Sequence, residues 1–274
     1  MIIKIINSDI PLPILISQIH AGNYIERIRI NKNDEIFTKK TELSYRTDLN
    51  NISRFGRANS PGSSMFYGSV ISTPISLPRI VALAETDELL RSKEKGKIDK
   101  SFIITVSKWK ILEDIRVAEM VFMKNRIKST PEIEHAYNFH LKNFRANMPE
   151  EEVQKLVAVV EFFSEEFAKA SVDFDTDYKL SAAYAQIALR SGSVKGLIYP
   201  SVRTDYEGSN LALLPEVVDE NLLLEEAIIV HVKIKGKKVF LDNLYRTGEL
   251  PTDAVNFNWY EMKSAQQGVK DKFF

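Results

Sequence analysis

Two glycine-containing segments, far apart in the sequence, constrain this chain more than any other feature. The first, residues 56–62, reads GRANSPG and leads into MFYG at residues 65–68. The second, residues 196–201, reads GLIYPS and is followed by GSNL at residues 208–211. Glycine permits tight turns and close backbone approach, and the polar residues beside it suit anions and sugars. With Glu85 between the two segments, we expect one pocket, assembled from distant parts of the chain, for a ligand that carries phosphate and ribose.

Composition removes several classes of function. Lysine plus arginine (37) balance aspartate plus glutamate (37), so no overall positive field favours a nucleic-acid partner. The absence of cysteine excludes disulfides, thiolate nucleophiles and cysteine metal sites, and it fits a reducing cytoplasm. The apolar start of the chain is interrupted by Lys4 and is too short for a secretory signal. We therefore expect a cytoplasmic protein that neither spans a membrane nor binds nucleic acid directly.

The expected order of strands and helices is mixed. Residues 24–30 alternate Ile28 and Ile30 with Arg27 and Arg29, which predicts a strand with both arginines on one face. Further strands are expected at residues 65–67, 102–106, 196–199, 210–214, 227–234 and 237–241, and helices at 76–90, within 125–171 and at 178–190. This order favours the α+β class over a regularly alternating parallel sheet. We expect residues 1–274 to form one domain with a helical insertion at about 125–171.

Three arginines are candidates for phosphate binding. Arg57 lies in the tight turn that Gly56 and Gly62 predict, and a guanidinium can hold two phosphate oxygens at once. The alternative is that Arg57 donates hydrogen bonds to loop carbonyls. Arg27 and Arg29 are equivalent candidates on their strand, although alternating charge is also typical of a solvent-facing strand surface.

Tyr67 and Glu85 each have a structural alternative to a functional role. The ring of Tyr67 could stack on a base or nicotinamide and its hydroxyl could bind a sugar, but a core tyrosine with a satisfied hydroxyl is equally common. Glu85 lies on an otherwise apolar helical turn, VALAET, at residues 81–86. It is either an outward-facing surface residue or a cleft carboxylate held by a partner, because an unpaired buried carboxylate is costly.

Other catalytic arrangements have weak sequence support. A serine-hydrolase triad at Ser201 is weakly supported. Pro200 restrains the chain before the serine, but no nucleophile-elbow motif surrounds it and no histidine is near it in sequence. His135 and His140 are five residues apart and would lie on different sides of a helix, which disfavours a zinc pair. The chain also lacks a Walker phosphate loop and a Gly-x-Gly-x-x-Gly segment.

The order of these segments resembles the RES domain family, which is named for arginine, glutamate and serine. Residues 24–30 resemble its opening strand, GRANSPG with the following tyrosine resembles its second block, and ALAE at residues 82–85 resembles its glutamate helix. Residues 196–201 and 208–211 resemble its serine segment, which is the most specific block. The resemblance covers residues 24–214, and the helical stretch at 125–171 and the tail beyond residue 214 depart from it.

The resemblance implies an ADP-ribosyltransferase-like fold with NAD, as substrate and not cofactor, in a cleft between two small sheets. It implies that Glu85 stabilises positive charge on the ribose and that Ser201 orients a ribose hydroxyl. Arg57, with Arg27 or Arg29, would bind the phosphates, and Tyr67 would contact the nicotinamide riboside. Asn59 and Asn210 are further expected substrate-binding residues. No metal is implied.

The family also implies a biological setting. Its members are bacterial toxins that consume NAD and are usually encoded beside an Xre-like antitoxin. We therefore expect an NAD glycohydrolase or phosphorylase, with ADP-ribosyl transfer to a protein and a non-catalytic interaction module as alternatives. An Xre-like antitoxin and a second copy of the chain are the expected partners. We expect residues 125–171 to form a protein interface instead of lining the NAD cleft.

Overall fold

The computed structural model describes residues 12–33, 35–86, 99–169, 174–236, 238–251 and 254–262, together with the backbone of 267–269. The described strands are β1 (Ile16–Ile19), β2 (Tyr24–Ile30), β3 (Phe66–Val70), β4 (Lys100–Ile111), β5 (Ile115–Glu119), β6 (Gly196–Pro200), β7 (Ser209–Leu213), β8 (Leu222–Lys235), β9 (Lys238–Thr247), β10 (Trp259–Glu261) and β11 (Gln267–Val269). The described α-helices are α1 (Lys40–Leu43), α2 (Pro78–Thr86), α3 (Pro131–Asn147), α4 (Glu150–Phe167), α5 (Lys179–Arg190) and α6 (Pro215–Asn221). The mixed α+β class predicted from the sequence is confirmed.

The described strands form one hydrogen-bonded sheet and not the two small sheets that we expected. Its order is β1-β5-β6-β7-β3-β2-β4-β8-β9-β10, with β11 also paired to β9. However, β2 and β3 pair only through Ile25 with Val70 and Glu26 with Ser69. Beyond these two pairs the strands separate, and the resulting opening in the middle of the sheet leaves space for side chains from both strands.

Three helices connect β5 to β6, which form the one parallel strand pair among the described residues. A parallel pair needs a long crossover connection, and α3, α4 and α5 supply it. Thr130 caps α3 by accepting a hydrogen bond from Ile133 N at 3.2 Å, and three glutamates in the first turn of α4 complement its dipole. Gly192, at φ +71°, follows α5 as the sequence predicted. Within the described ranges, no helix has the length and apolar character needed to cross a bilayer.

Alternation along the strands divides the core between the two faces of the sheet. On one face Ile25, Phe66 and Trp109 form a cluster with Leu211 and Leu213. On the other face, one cluster joins α2 to β2, β4 and β8, and a separate cluster joins α4 and α5 to β6 and β7. The space between these two clusters lies above β3 and β7, beside the opening between β2 and β3.

Helix α2 is tied firmly to β2. The buried carboxylate of Glu26 accepts a hydrogen bond from Arg79 N at 2.6 Å and forms an ion pair with the Arg79 guanidinium. An acidic side chain at a helix N-terminus also complements the helix dipole. The helix predicted at residues 76–90 is observed as Pro78–Thr86, and residues 87–90 lie outside the described ranges.

Candidate active site

Glu85 is held by two side chains, Ser201 directly after β6 and Asn210 on β7. Its Oε1 accepts hydrogen bonds from Ser201 Oγ at 2.7 Å and from Asn210 Nδ2 at 2.9 Å. Asn210 is oriented in turn by Ser69 Oγ, which donates to Asn210 Oδ1 at 3.1 Å. No described residue donates a hydrogen bond to Glu85 Oε2. The carboxylate is thus fixed through one oxygen, and the other is left to interact with a ligand.

Arg27, and not Arg29, reaches the cavity beside Glu85. Arg27 lies where β2 and β3 separate, donates a hydrogen bond to Tyr67 O, and has its guanidinium carbon 5.2 Å from the centre of the Phe66 ring. Arg29 lies on the same strand face but donates to Ser44 O at 3.1 Å. The cavity lining includes Arg27 but not Arg29, so the geometry separates two residues that the sequence left equivalent.

The charge of Arg27 is not balanced by an acidic partner. Within the described ranges no carboxylate forms an ion pair with it, and its Nε is buried without a hydrogen-bond partner. Burial, followed by the charge of Arg29, lowers the pKa of Arg27 to about 9, with Tyr67 acting in the opposite direction. Arg27 remains protonated at neutral pH, so a bound anion would supply the missing countercharge.

Arg57 is buried and bound to backbone carbonyls. Its Nη1 donates to Phe167 O at 2.6 Å, and its Nη2 donates to Lys169 O at 3.0 Å. Its guanidinium carbon also lies 5.0 Å from the centre of the Tyr178 ring. These contacts match the structural alternative considered for Arg57. Both carbonyls belong to residues 125–171, so this segment orders Arg57, although none of its residues lines the cavity described below.

Tyr67 and Asn59 stabilise the glycine-containing loop. Tyr67 Oη accepts a hydrogen bond from Ala58 N at 3.0 Å and donates to Asn59 Oδ1 at 2.7 Å. A side chain on Gly56 would bring its Cβ within 2.4 Å of Asn59 Oδ1, which explains why the turn contains glycine. Burial raises the pKa of Tyr67 above its ordinary value. The Tyr67 hydroxyl is therefore engaged within the protein, while its ring remains on the cavity wall.

Ser201 lies behind Glu85 and has no solvent exposure. Its backbone N donates to Gly208 O at 2.7 Å, and its carbonyl accepts from Tyr206 N at 2.9 Å. A side chain on Gly208 would collide with Val81 of α2, so glycine allows this loop to pack against the helix. Ser201 is covered and donates to the carboxylate, so its expected role in orienting a ribose hydroxyl stays a prediction, and the contact observed is with Glu85.

These residues surround a cavity of about 260 Å³. Its lining contains five of the eight site residues expected from the sequence: Arg27, Arg57, Tyr67, Glu85 and Asn210. The lining residues that the sequence interpretation did not select include Ser69, Tyr178 and Tyr199. Ser69 could have been found from strand periodicity, since it lies two residues after Tyr67 and shares its face. No comparable pattern identifies Tyr178.

A larger groove, of about 680 Å³, lies elsewhere between β1, β5 and α3 and is called the histidine groove below. A hydrogen bond in the groove joins His140 Nε2 and Glu119 Oε2 at 2.9 Å, and Glu132 accepts a hydrogen bond from Thr73 N at 2.6 Å. His135 also lines the groove. No group of three or more acidic or histidine side chains in the described part of the chain is arranged to hold a metal ion.

Comparison with known families supports the resemblance seen in the sequence. The family model of the RES domain matches residues 117–230. This segment contains Ser201 and Asn210, whereas Arg27, Arg57 and Glu85 precede it. No curated protein matches the chain. The predicted resemblance to the RES domain family is thus confirmed over residues 117–230.

Proposed function

We propose that this protein cleaves the bond between nicotinamide and ribose in NAD and transfers the ADP-ribosyl group to water or phosphate. The observation that carries the proposal is the arrangement of Glu85. Its carboxylate is fixed through Oε1 by Ser201 and Asn210, and it lines the same cavity as Arg27, whose guanidinium forms no ion pair with a described carboxylate. A dinucleotide needs both groups, an anion-binding cation for its pyrophosphate and a carboxylate for its reacting ribose.

The chemistry requires stabilisation of positive charge. When the bond from ribose C1′ to the nicotinamide nitrogen breaks, both bonding electrons leave with nicotinamide, which becomes neutral. The ribose then resembles an oxocarbenium ion, as in glycoside cleavage. A fixed carboxylate stabilises such a transition state because it does not need to reorganise as the charge develops. Glu85 Oε2 is the atom that we assign to this role.

The reaction is completed by an acceptor oxygen. Water or phosphate forms a new bond to C1′, and with water the proton is lost to solvent, so that the products are nicotinamide and ADP-ribose. With phosphate as acceptor the second product is ADP-ribose 1″-phosphate. Transfer to a protein side chain would use the same cleavage step and would give a labelled protein instead of a free sugar.

The remaining residues act on this centre indirectly. Ser201 and Asn210 are positioning residues for Glu85, and Ser69 positions Asn210. Arg57 orders the cavity wall through α4 while it contributes positive charge there. Tyr67 and Asn59 maintain the loop that presents Arg57. Arg27 is the proposed pyrophosphate-binding residue.

The biological setting belongs to the same proposal. The resemblance to the RES domain family supports a cytoplasmic toxin that depletes NAD and is neutralised by an Xre-like antitoxin protein. The exposed surfaces of α3 and α4 are the proposed protein interface, and self-association of the chain is a further proposal. Residues 1–274 are proposed to act as one domain with the helical stretch at 125–171 as a part of it.

The test is direct measurement of nicotinamide release from NAD by purified protein, with separation of ADP-ribose, ADP-ribose 1″-phosphate and labelled protein. We expect release by the wild-type protein and its loss in Glu85→Gln. The matched control is Glu152→Gln, which removes an exposed carboxylate on α4. If folded wild-type protein releases no nicotinamide, either in phosphate-free buffer or with phosphate added, the proposed reaction is wrong and a binding role gains support.

A further inference from the structure

A second cavity adjoins the one beside Glu85. It has a volume of about 430 Å³, and the two cavities share Arg27, Gly56 and Tyr67 on their walls. The cavity beside Glu85, at about 260 Å³, is smaller than the roughly 300–1,000 Å³ typical of small-molecule sites. A dinucleotide whose reacting ribose lies at Glu85 would therefore extend past Arg27 into the second cavity.

The wall of the second cavity is cationic and rich in hydroxyl groups. Arg54 is exposed on this wall, and no described residue forms an ion pair with it. Arg46 is partly neutralised, because it binds Asp48 through two hydrogen bonds. Neither aspartate nor glutamate is present among the described residues that line this cavity. The described lining includes the serines Ser53, Ser63 and Ser64.

This wall has the properties of a site for a ribose phosphate. In Rossmann-fold enzymes, an aspartate or glutamate binds the adenosine ribose 2′-hydroxyl of NAD, whereas an arginine accommodates the 2′-phosphate of NADP, and the same charge preference holds at any ribose phosphate. A carboxylate at that position would repel the phosphate. Arg54 provides a guanidinium without an ion-pair partner among the described residues, and no described lining carboxylate opposes the added charge.

We propose that the second cavity binds the adenosine end of the dinucleotide, that NADP is a substrate together with NAD, and that Arg54 determines the relative use of the two. This inference rests on the proposed function, because it takes the ribose beside Glu85 as the reacting one. The reaction at C1′ is unchanged. The products from NADP with water are nicotinamide and 2′-phospho-ADP-ribose, and the 2′-phosphate is retained.

The experiment compares kcat/KM for NAD and NADP in the wild-type protein, in Arg54→Gln and in Arg190→Gln. Arg190 is an exposed arginine at the end of α5 and serves as the matched control for loss of a surface charge. We expect Arg54→Gln to lower kcat/KM for NADP about tenfold, since a charge-assisted hydrogen bond to phosphate is lost at an exposed site. The value for NAD should fall about threefold or less, and Arg190→Gln should not alter the ratio.

A binding measurement separates failure of this inference from failure of the proposed function. Glu85→Gln is titrated calorimetrically with ADP-ribose and with 2′-phospho-ADP-ribose, alone and combined with Arg54→Gln. Tighter binding of the 2′-phosphorylated compound that depends on Arg54 supports the assignment of the second cavity to the adenosine end, whereas absence of cleavage of both dinucleotides would be a failure of the proposed function. Turnover of NAD with negligible turnover of NADP, or binding that is indifferent to the 2′-phosphate, would overturn it while leaving the proposed function intact.

Discussion

The cavity beside Glu85 and the histidine groove differ in how completely their buried ionisable groups are paired. The groove is larger, about 680 Å³ against 260 Å³. Its buried groups nevertheless pair with each other, as His140 does with Glu119. In the smaller cavity, Arg27 has no carboxylate partner and Glu85 Oε2 has no donor among the described residues. Buried polar groups usually have partners, so the buried Arg27 Nε, which has none, favours a ligand in the smaller cavity, whereas no described residue lining the groove has such an atom.

The sharpest test of this comparison is Glu85→Gln. We expect kcat for nicotinamide release to fall about a thousandfold, because the fixed negative charge beside the ribose is lost while the hydrogen-bonding shape is retained. The matched change in the histidine groove is Glu119→Gln. It should leave kcat within about twofold of wild type, because Glu119 does not line the cavity in which charge develops on the ribose. Equal losses in both variants would show that the two regions are not functionally distinct.

Arg27→Gln should produce the next largest effect. We expect KM for NAD to rise about a hundredfold, since charge-assisted contacts to the pyrophosphate are lost. Arg29→Gln removes a guanidinium from the same strand face and should raise KM no more than about threefold. Steady-state kinetics at constant ionic strength provides the measurement. A larger effect at Arg29 would mean that the cavity wall has been assigned to the wrong arginine.

Asn210→Ala tests whether Asn210 positions Glu85 or binds substrate. We expect kcat to fall about tenfold, with KM within about twofold of wild type, because Glu85 loses one of two hydrogen bonds that fix its carboxylate. Ser69→Ala should have the same effect in weaker form, as Ser69 acts only through Asn210. A rise in KM without loss of kcat would instead identify Asn210 as a substrate-binding residue.

The smallest effect on activity is expected in the histidine groove. His140→Leu should lower the free energy of unfolding by about 2 kcal/mol, because Glu119 loses its partner in a largely buried position. Nicotinamide release per folded molecule should not change. Urea denaturation and steady-state kinetics test the two parts separately, and His135→Leu, at an exposed position of the same groove, is the control for stability.

Local patterns predicted much of the fold because each depends on neighbouring residues alone. Alternation identified β2 with both of its bounds, and Gly192 marked the end of α5. The single sheet was not predicted, because the pairing of β2 with β3 involves only two residue pairs between strands far apart in sequence. Long-range pairing of this kind leaves no periodic signal in either strand.

The sequence predicted which residues form the candidate site better than it predicted the role of each residue. The glycine-containing segments and Glu85 converge, as the family resemblance implied. The sequence did not reveal that Ser201 faces Glu85 or that the Tyr67 hydroxyl binds the loop. It also could not separate Arg27 from Arg29, because both lie on one strand face. The separation of β2 from β3 distinguishes them, and that separation is a property of the assembled sheet.

The hydrogen bonds from Arg57 to the end of α4 connect two parts of the molecule mechanically. Both terminal nitrogens of the guanidinium bind carbonyls at or just beyond the last turn of that helix. A shift of α4 along its axis by the length of one hydrogen bond would therefore pull on the wall of the Glu85 cavity. A protein bound to the exposed surface of α3 and α4 would therefore alter the cavity beside Glu85 without contacting it.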